Sequence, residues 1–196
     1  MRICVYCASS QIADPGYRQA ARQFGELLAE GGHTLVYGGG GTGSMGAVAD
    51  GALSLGGEVI GIMPPFMLER ELGHKGLARL VLVEDMHERK RKLLDGSDAV
   101  VALPGGCGTM DELFEAITRK RLGRYHNPIV LLNTRNYYAP LESFLKHMID
   151  ERFMTPLHAS LWTLVDHPEA ILPAVTNAIP WSGKASDAAM RDMVRG

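Results

Sequence analysis

Short apolar runs alternate with amphipathic stretches along most of this chain, and nearly every change of pattern falls at glycine or proline. Arg2 to Ala8, His33 to Tyr37, Glu58 to Met63, Arg79 to Val83, Ala99 to Leu103, Ile129 to Leu132 and Leu161 to Val165 have strand length and little polar alternation, as strands buried on both faces do. Helical spacing fills the gaps. Asp14-Pro15 reads as an N-cap followed by proline in the first turn, with Ala20, Ala21, Phe24, Leu27 and Leu28 on one face. Further helices are expected over Met45 to Leu55, Met86 to Leu94, Met110 to Leu122, Leu141 to Glu151 and Pro168 to Ala178, while Phe66 to Lys75 carries no decided pattern. Such alternation predicts a doubly wound α/β domain, a parallel sheet with helices on both faces. One domain is expected over residues 1–180, then a polar, disordered tail at 181–196.

Composition narrows the function classes. Twenty Lys+Arg stand against 22 Asp+Glu, a formal charge of -2, and no long basic run offers the phosphate neutralisation that nucleic-acid binding needs. No apolar stretch approaches the roughly 18 residues of a membrane span, and the first residues lack a signal-peptide pattern, so a cytoplasmic location is expected. Three cysteines suit a reducing compartment. Cys4 and Cys7 form a C-x-x-C inside a strand rather than at a helix start, which predicts buried thiols and no metal centre.

Glycine is the outlier: 23 residues, where average usage near 7% would give about 14. Nine lie in two loops that each follow a strand and open a helix, where α/β sheets bind ligands. The first, Gly38 to Gly46, includes Gly39, Gly40, Gly41, Gly43 and Met45, and its bare amides at a helix start suit a phosphate. A tight turn is the alternative. An acidic residue at the end of the next strand would mark a dinucleotide site, but that strand ends Gly61-Ile62-Met63-Pro64, and no P-loop lysine follows the last glycine. NAD binding and ATP hydrolysis are therefore disfavoured.

The second loop runs Pro104-Gly105-Gly106-Cys107-Gly108-Thr109-Met110-Asp111-Glu112. Asp111 and Glu112 are expected in the first helical turn, where the dipole alone favours acids. The functional alternative sets Glu112 and Glu115, three residues apart, against a ribose. Asp85-Met86-His87-Glu88 resembles a capping box, and Arg89 and Lys90 follow on a helix whose inward stripe holds Leu93 and Leu94. One cation is expected either to snorkel to solvent or to lean inward as an anion clamp.

Pro104 to Glu112 fits PGGxGTxxE in full, and Met86-His87-Glu88-Arg89-Lys90 fits MHxRK. With these motifs, from about Ile3 to Ala178, the chain resembles the LOG (Lonely Guy) family of cytokinin riboside 5'-monophosphate phosphoribohydrolases. The resemblance implies a Rossmann-like, nucleotide-binding homodimer that hydrolyses the N-glycosidic bond of N6-substituted AMP to free base and ribose 5-phosphate, without a cofactor. It implies Arg89 and Glu112 as the catalytic pair, and Glu71, Lys90, Gly105, Gly106, Cys107, Gly108, Thr109, Met110, Asp111 and Thr118 as nucleotide contacts. Ala8, Ser44 and Met110-Asp111 depart from the family pattern and bear on base preference. An AMP nucleosidase without a cytokinin role, or a non-catalytic nucleotide carrier, are the alternatives. The lysine decarboxylase label that family members have carried would require a Schiff-base lysine, which neither motif supplies.

Overall fold

The computed structural model describes residues 1–71 and 73–182 together with Ala185, Asp187 and Arg191, the side chains of residues 69–71 excepted. Seven parallel strands form one sheet: β1 (Arg2–Tyr6), β2 (Thr34–Tyr37), β3 (Val59–Met63), β4 (Arg79–Leu82), β5 (Ala99–Ala102), β6 (Ile129–Leu132) and β7 (Thr163–Val165). Their order is β4-β3-β2-β1-β5-β6-β7. The connecting helices are α1 (Pro15–Glu30), α2 (Gly43–Ser54), α3 (Pro65–Glu71), α4 (Met86–Leu94), α5 (Cys107–Arg121), α6 (Ala139–Asp150) and α7 (Ile171–Thr176). This is the expected doubly wound, Rossmann-like α/β architecture.

Alternation along β1 divides the interior. Ile3 and Val5 join a core with Phe24, Leu28 and Val48 of α1 and α2, while Cys4 and Tyr6 join a second core with Leu93, Leu113 and Ile117 of α4 and α5. Cys7, beyond the strand end, belongs to the first core, so the C-x-x-C thiols lie on opposite sides of the sheet. Burial pushes the Cys4 thiol pKa well up.

Local chemistry sets the helix starts. The Asp14 carboxylate accepts from the Gly16 N–H at 2.8 Å, and Asp85 Oδ1 accepts from the Glu88 N–H at 2.8 Å. Glu88 reaches back to the Glu84 N–H rather than to its own cap residue. The undecided stretch after Pro64 contains α3. Both glycine loops are shorter than expected, because α2 begins at Gly43 and α5 at Cys107. A first turn has no intrahelical N–H bonds to satisfy, so glycine costs less there than in a helix interior. Asp111 and Glu112 consequently stand in the second turn of α5, and the first turn carries no acid.

Helices α1 and α2 pack backbone to backbone. A β-carbon on Gly25 would sit 2.1 Å from the Val48 carbonyl oxygen, and one on Gly51 2.1 Å from that of Arg22. Beyond Pro180, Trp181 is buried in the second core and its backbone N–H donates to the His126 carbonyl at 3.1 Å. Most of the expected tail lies outside the described residues. Among the described residues, no helix is long and apolar enough to cross a membrane.

Candidate functional site

β1 and β5 are neighbours, yet the chain leaves β1 toward β2 on one side and β5 toward β6 on the other. That divergence leaves a crevice at the carboxyl ends of the strands. A cavity of about 310 Å³ occupies it. Cys7, Ser9 and Ser10 line it after β1, Gly38 and Met45 after β2, Met86 and Arg89 from α4, and Gly106, Gly108, Thr109 and Glu112 after β5.

Arg89 and Glu112 meet inside it. Both are buried, at 5% and 8% exposure, and Arg89 Nη1 lies 3.4 Å from Glu112 Oε1. Arg89 Nε donates to the Ile62 carbonyl and Nη2 to the Gly38 carbonyl, each at 3.1 Å. A β-carbon on Gly38 would stand 2.2 Å from that Nη2, so this glycine is bare to admit a guanidinium. The inward-leaning cation is thus Arg89. Lys90 turns the other way, its Nζ 2.9 Å from Glu115 Oε2 and 3.0 Å from Asp111 Oδ2. Glu115 first, then Asp111, raises the Lys90 pKa against the opposing effect of burial. Glu115, also paired with Arg119 at 3.0 Å, therefore does not join Glu112 in the cavity.

The start of α5 closes one wall. Gly106 is its N-cap, and no side chain caps it. A β-carbon at Gly105 would collide with Thr109, 2.1 Å from its Oγ1, whereas one at Gly106 or Gly108 would meet nothing within 4 Å. Neither of these two has a positive φ. Neither packing nor a positive φ requires glycine at 106 and 108, and the absence of side chains there leaves the start of α5 open toward the cavity.

Apart from Met45, the candidates of the first glycine loop fall outside this cavity. Gly40 bridges to Gly73, and the Gly39 carbonyl accepts from the His74 N–H. Gly41 and Gly43 face a separate cleft beside Asp50. Gly43, at φ +60°, comes so close to Ser9 that a β-carbon would lie 2.5 Å from its carbonyl carbon. Turn geometry and close packing account for most of the first loop, and Met45 alone of its named candidates lines the cavity. Cys107, Asp111 and Thr118 are exposed and Met110 is half-buried. Glu71 ends α3, and its side chain lies outside the described residues. Ser9, Ser10 and Met67 line the cavity without having been singled out; the rule that ligands sit beyond strand ends pointed at the first two. Among the described residues, no group of three or more His, Cys, Asp or Glu could hold a metal ion.

Residues 45–175 match the family model described as possible lysine decarboxylase. The chain is 42% identical over 156 residues to the cytokinin riboside 5'-monophosphate phosphoribohydrolase LOG7 of Arabidopsis thaliana, covering 80% of this chain and 72% of the relative. It is 39% identical over 174 residues, 88% of each chain, to the cytokinin riboside 5'-monophosphate phosphoribohydrolase of Rhodococcoides fascians. The chain belongs to the LOG family. The solved molybdenum cofactor binding protein of Rippkaea orientalis, 24% identical, matches 89% of this chain and 94% of its own with a TM-score of 0.70, which shows a shared fold. In this LOG-family chain the PGGxGTxxE motif forms the loop after β5, the open start of α5 and Glu112, while MHxRK supplies Met86 and Arg89. Among the described residues no lysine lines the cavity, so the residues present there do not fit the Schiff-base chemistry that the family model's description suggests.

Proposed function

We propose that this LOG-family protein hydrolyses the N-glycosidic bond of cytokinin riboside 5'-monophosphates, N6-substituted AMP, to free base and ribose 5-phosphate. One observation carries the reading: a buried arginine–glutamate pair faces an uncapped helix start across a single cavity. The helix start takes the 5'-phosphate on its free N–H groups beside Thr109. Glu112 then faces the ribose, where it stabilises positive charge developing at C1' or orients the attacking water. Water adds at C1', the C1'–N bond breaks with its electrons going to the base, and the base takes up a proton. Arg89 orients the nucleotide and offsets negative charge on the phosphate or the departing base. The names of the LOG relatives support the substrate class.

In the same reading the protein is a cytoplasmic homodimer. Thr118 and Asp111, exposed on α5, would touch a ligand from outside the cavity wall, which fits a second copy packed over this helix. Glu112→Gln keeps the side chain's shape and removes its charge. We expect kcat for release of free base to fall about 10²- to 10⁴-fold, with near wild-type binding of ribose 5-phosphate; undiminished hydrolysis by this variant would sink the assignment. Comparing kcat/KM for isopentenyladenosine monophosphate and AMP reads the base preference directly.

A further inference from the structure

Gly106 lines the cavity, and neither it nor Gly105 has a β-carbon to hold the orientation of the peptide between them. Turning this peptide over would carry Gly106 φ from -83° into the positive range that glycine occupies readily. The backbone itself therefore does little to choose between two orientations, one of which aims the Gly106 N–H away from the cavity it lines.

A neighbouring loop makes the choice. The Tyr137 hydroxyl donates to the Gly105 carbonyl at 2.5 Å, and the Tyr138 hydroxyl donates to the Leu103 carbonyl at 2.8 Å. In a trans peptide the C=O and the following N–H point in opposite directions. A carbonyl held toward Tyr137 thus turns the Gly106 N–H away from Tyr137. Tyr137 is not among the residues lining the cavity, so it acts on the ligand only through this peptide.

The loop carrying the two tyrosines is itself fixed with care. Arg135 and Asn136 both adopt left-handed φ, +57° and +58°, a conformation that costs a non-glycine residue of order 1 kcal/mol or more. Asn133 compensates: its Oδ1 accepts from the Tyr138 N–H at 2.8 Å, and its Nδ2 donates to Asp166 at 3.0 Å. The Tyr137 ring is wedged edge-on between Tyr17, at 5.8 Å, and Tyr138, at 5.2 Å.

We infer that Tyr137 is a positioning residue for the reaction, locking the Gly105–Gly106 peptide in the orientation that presents the Gly106 N–H to the substrate phosphate. This lock rests on the function proposed above. Tyr137→Phe removes the hydroxyl and keeps the ring between Tyr17 and Tyr138. Calorimetric titration with ribose 5-phosphate and with adenine separates the possibilities. The lock requires the Kd for ribose 5-phosphate to rise about 5- to 10-fold with that for adenine within twofold, and KM for AMP to rise by more than kcat falls, at unchanged Tm. Unmoved ribose 5-phosphate binding in the variant, or equal weakening of both ligands with a lowered Tm, overturns it. A wild-type protein that binds no ribose 5-phosphate would overturn the functional reading as well, whereas tight wild-type binding with no change in the variant removes the lock alone.

Discussion

At the scale of single residues, Arg89 shows how much one side chain depends on distant chain. Its guanidinium is shared among the ends of β2 and β3 and the second turn of α5, so three N–H directions are used at once. Lysine has the charge without the planar fork. Arg89→Lys is expected to lower kcat/KM about 10²-fold, and a steady-state assay for released base checks it; retention of more than half the activity would mean that charge alone suffices. The arginine–glutamate pairing was implied by family resemblance, but the inward lean was undecidable from helix α4 alone. What decides it are the carbonyls of Ile62 and Gly38, 27 and 51 residues away. Gly38 was legible as part of a glycine loop, but its reason was not: its missing side chain makes room for the Arg89 guanidinium.

Among the elements, α1 and α2 approach each other closely through glycine on both helices. Gly51→Ala would raise intrinsic helix propensity by about 1 kcal/mol, but the new methyl meets the Arg22 carbonyl oxygen at 2.1 Å. Overpacking of this kind costs about 1–3 kcal/mol, and the rigid backbone on the far side puts the case at the upper end. The urea midpoint should therefore fall at unchanged m-value; a midpoint at or above wild type would show that the two helices slide apart freely. The existence and order of these elements were readable because both faces of each strand are apolar and each helix has a cap or a stop. Their starts were less so. Cys107, Gly108 and Thr109 read as loop because glycine is a helix breaker in the interior, yet they form the first turn of α5. That one-turn shift changes the role of Glu112 from an acid at the dipole to an inward-facing partner of Arg89. Helix α3 escaped notice because its seven residues mix charge and bulk in no period.

For the whole molecule, Arg89 is not the sole buried cation among the described residues. Opposite the Arg89 site, Lys120 is 3% exposed and lines a cavity of about 600 Å³ with Trp162 and Trp181. Its ammonium has no hydrogen-bond or ion-pair partner among the described residues, and burial pulls its pKa from 10.5 down to about 8. The sign follows from proton binding: between pH 8 and 10.5 the unfolded chain keeps the proton that the folded one has lost, so this group makes stability rise with pH there. Below pH 8 the folded protein bears the full cost of a buried charge. Lys120→Met should accordingly stabilise the protein at pH 7 by on the order of 2–3 kcal/mol, with the advantage shrinking toward pH 10.5. Unfolding midpoints of both proteins at pH 7 and 10 test this, and an equal difference at the two values would contradict it.

Strand order was the part of the architecture that no local pattern could reveal. Because β1 pairs with β2 on one edge and with β5 on the other, the central strand is the first to be made and among the later ones to be enclosed. A ribosome must add Ala99–Ala102 before Ile3, Cys4 and Val5 have hydrogen-bonding neighbours on both sides. Until β5 pairs with it, β1 has a neighbour on one side only, and its apolar residues Ile3, Cys4 and Val5 would lie on an open edge that a second nascent chain can pair with. The same late pairing that creates the crevice thus leaves an apolar edge open while the chain is being made.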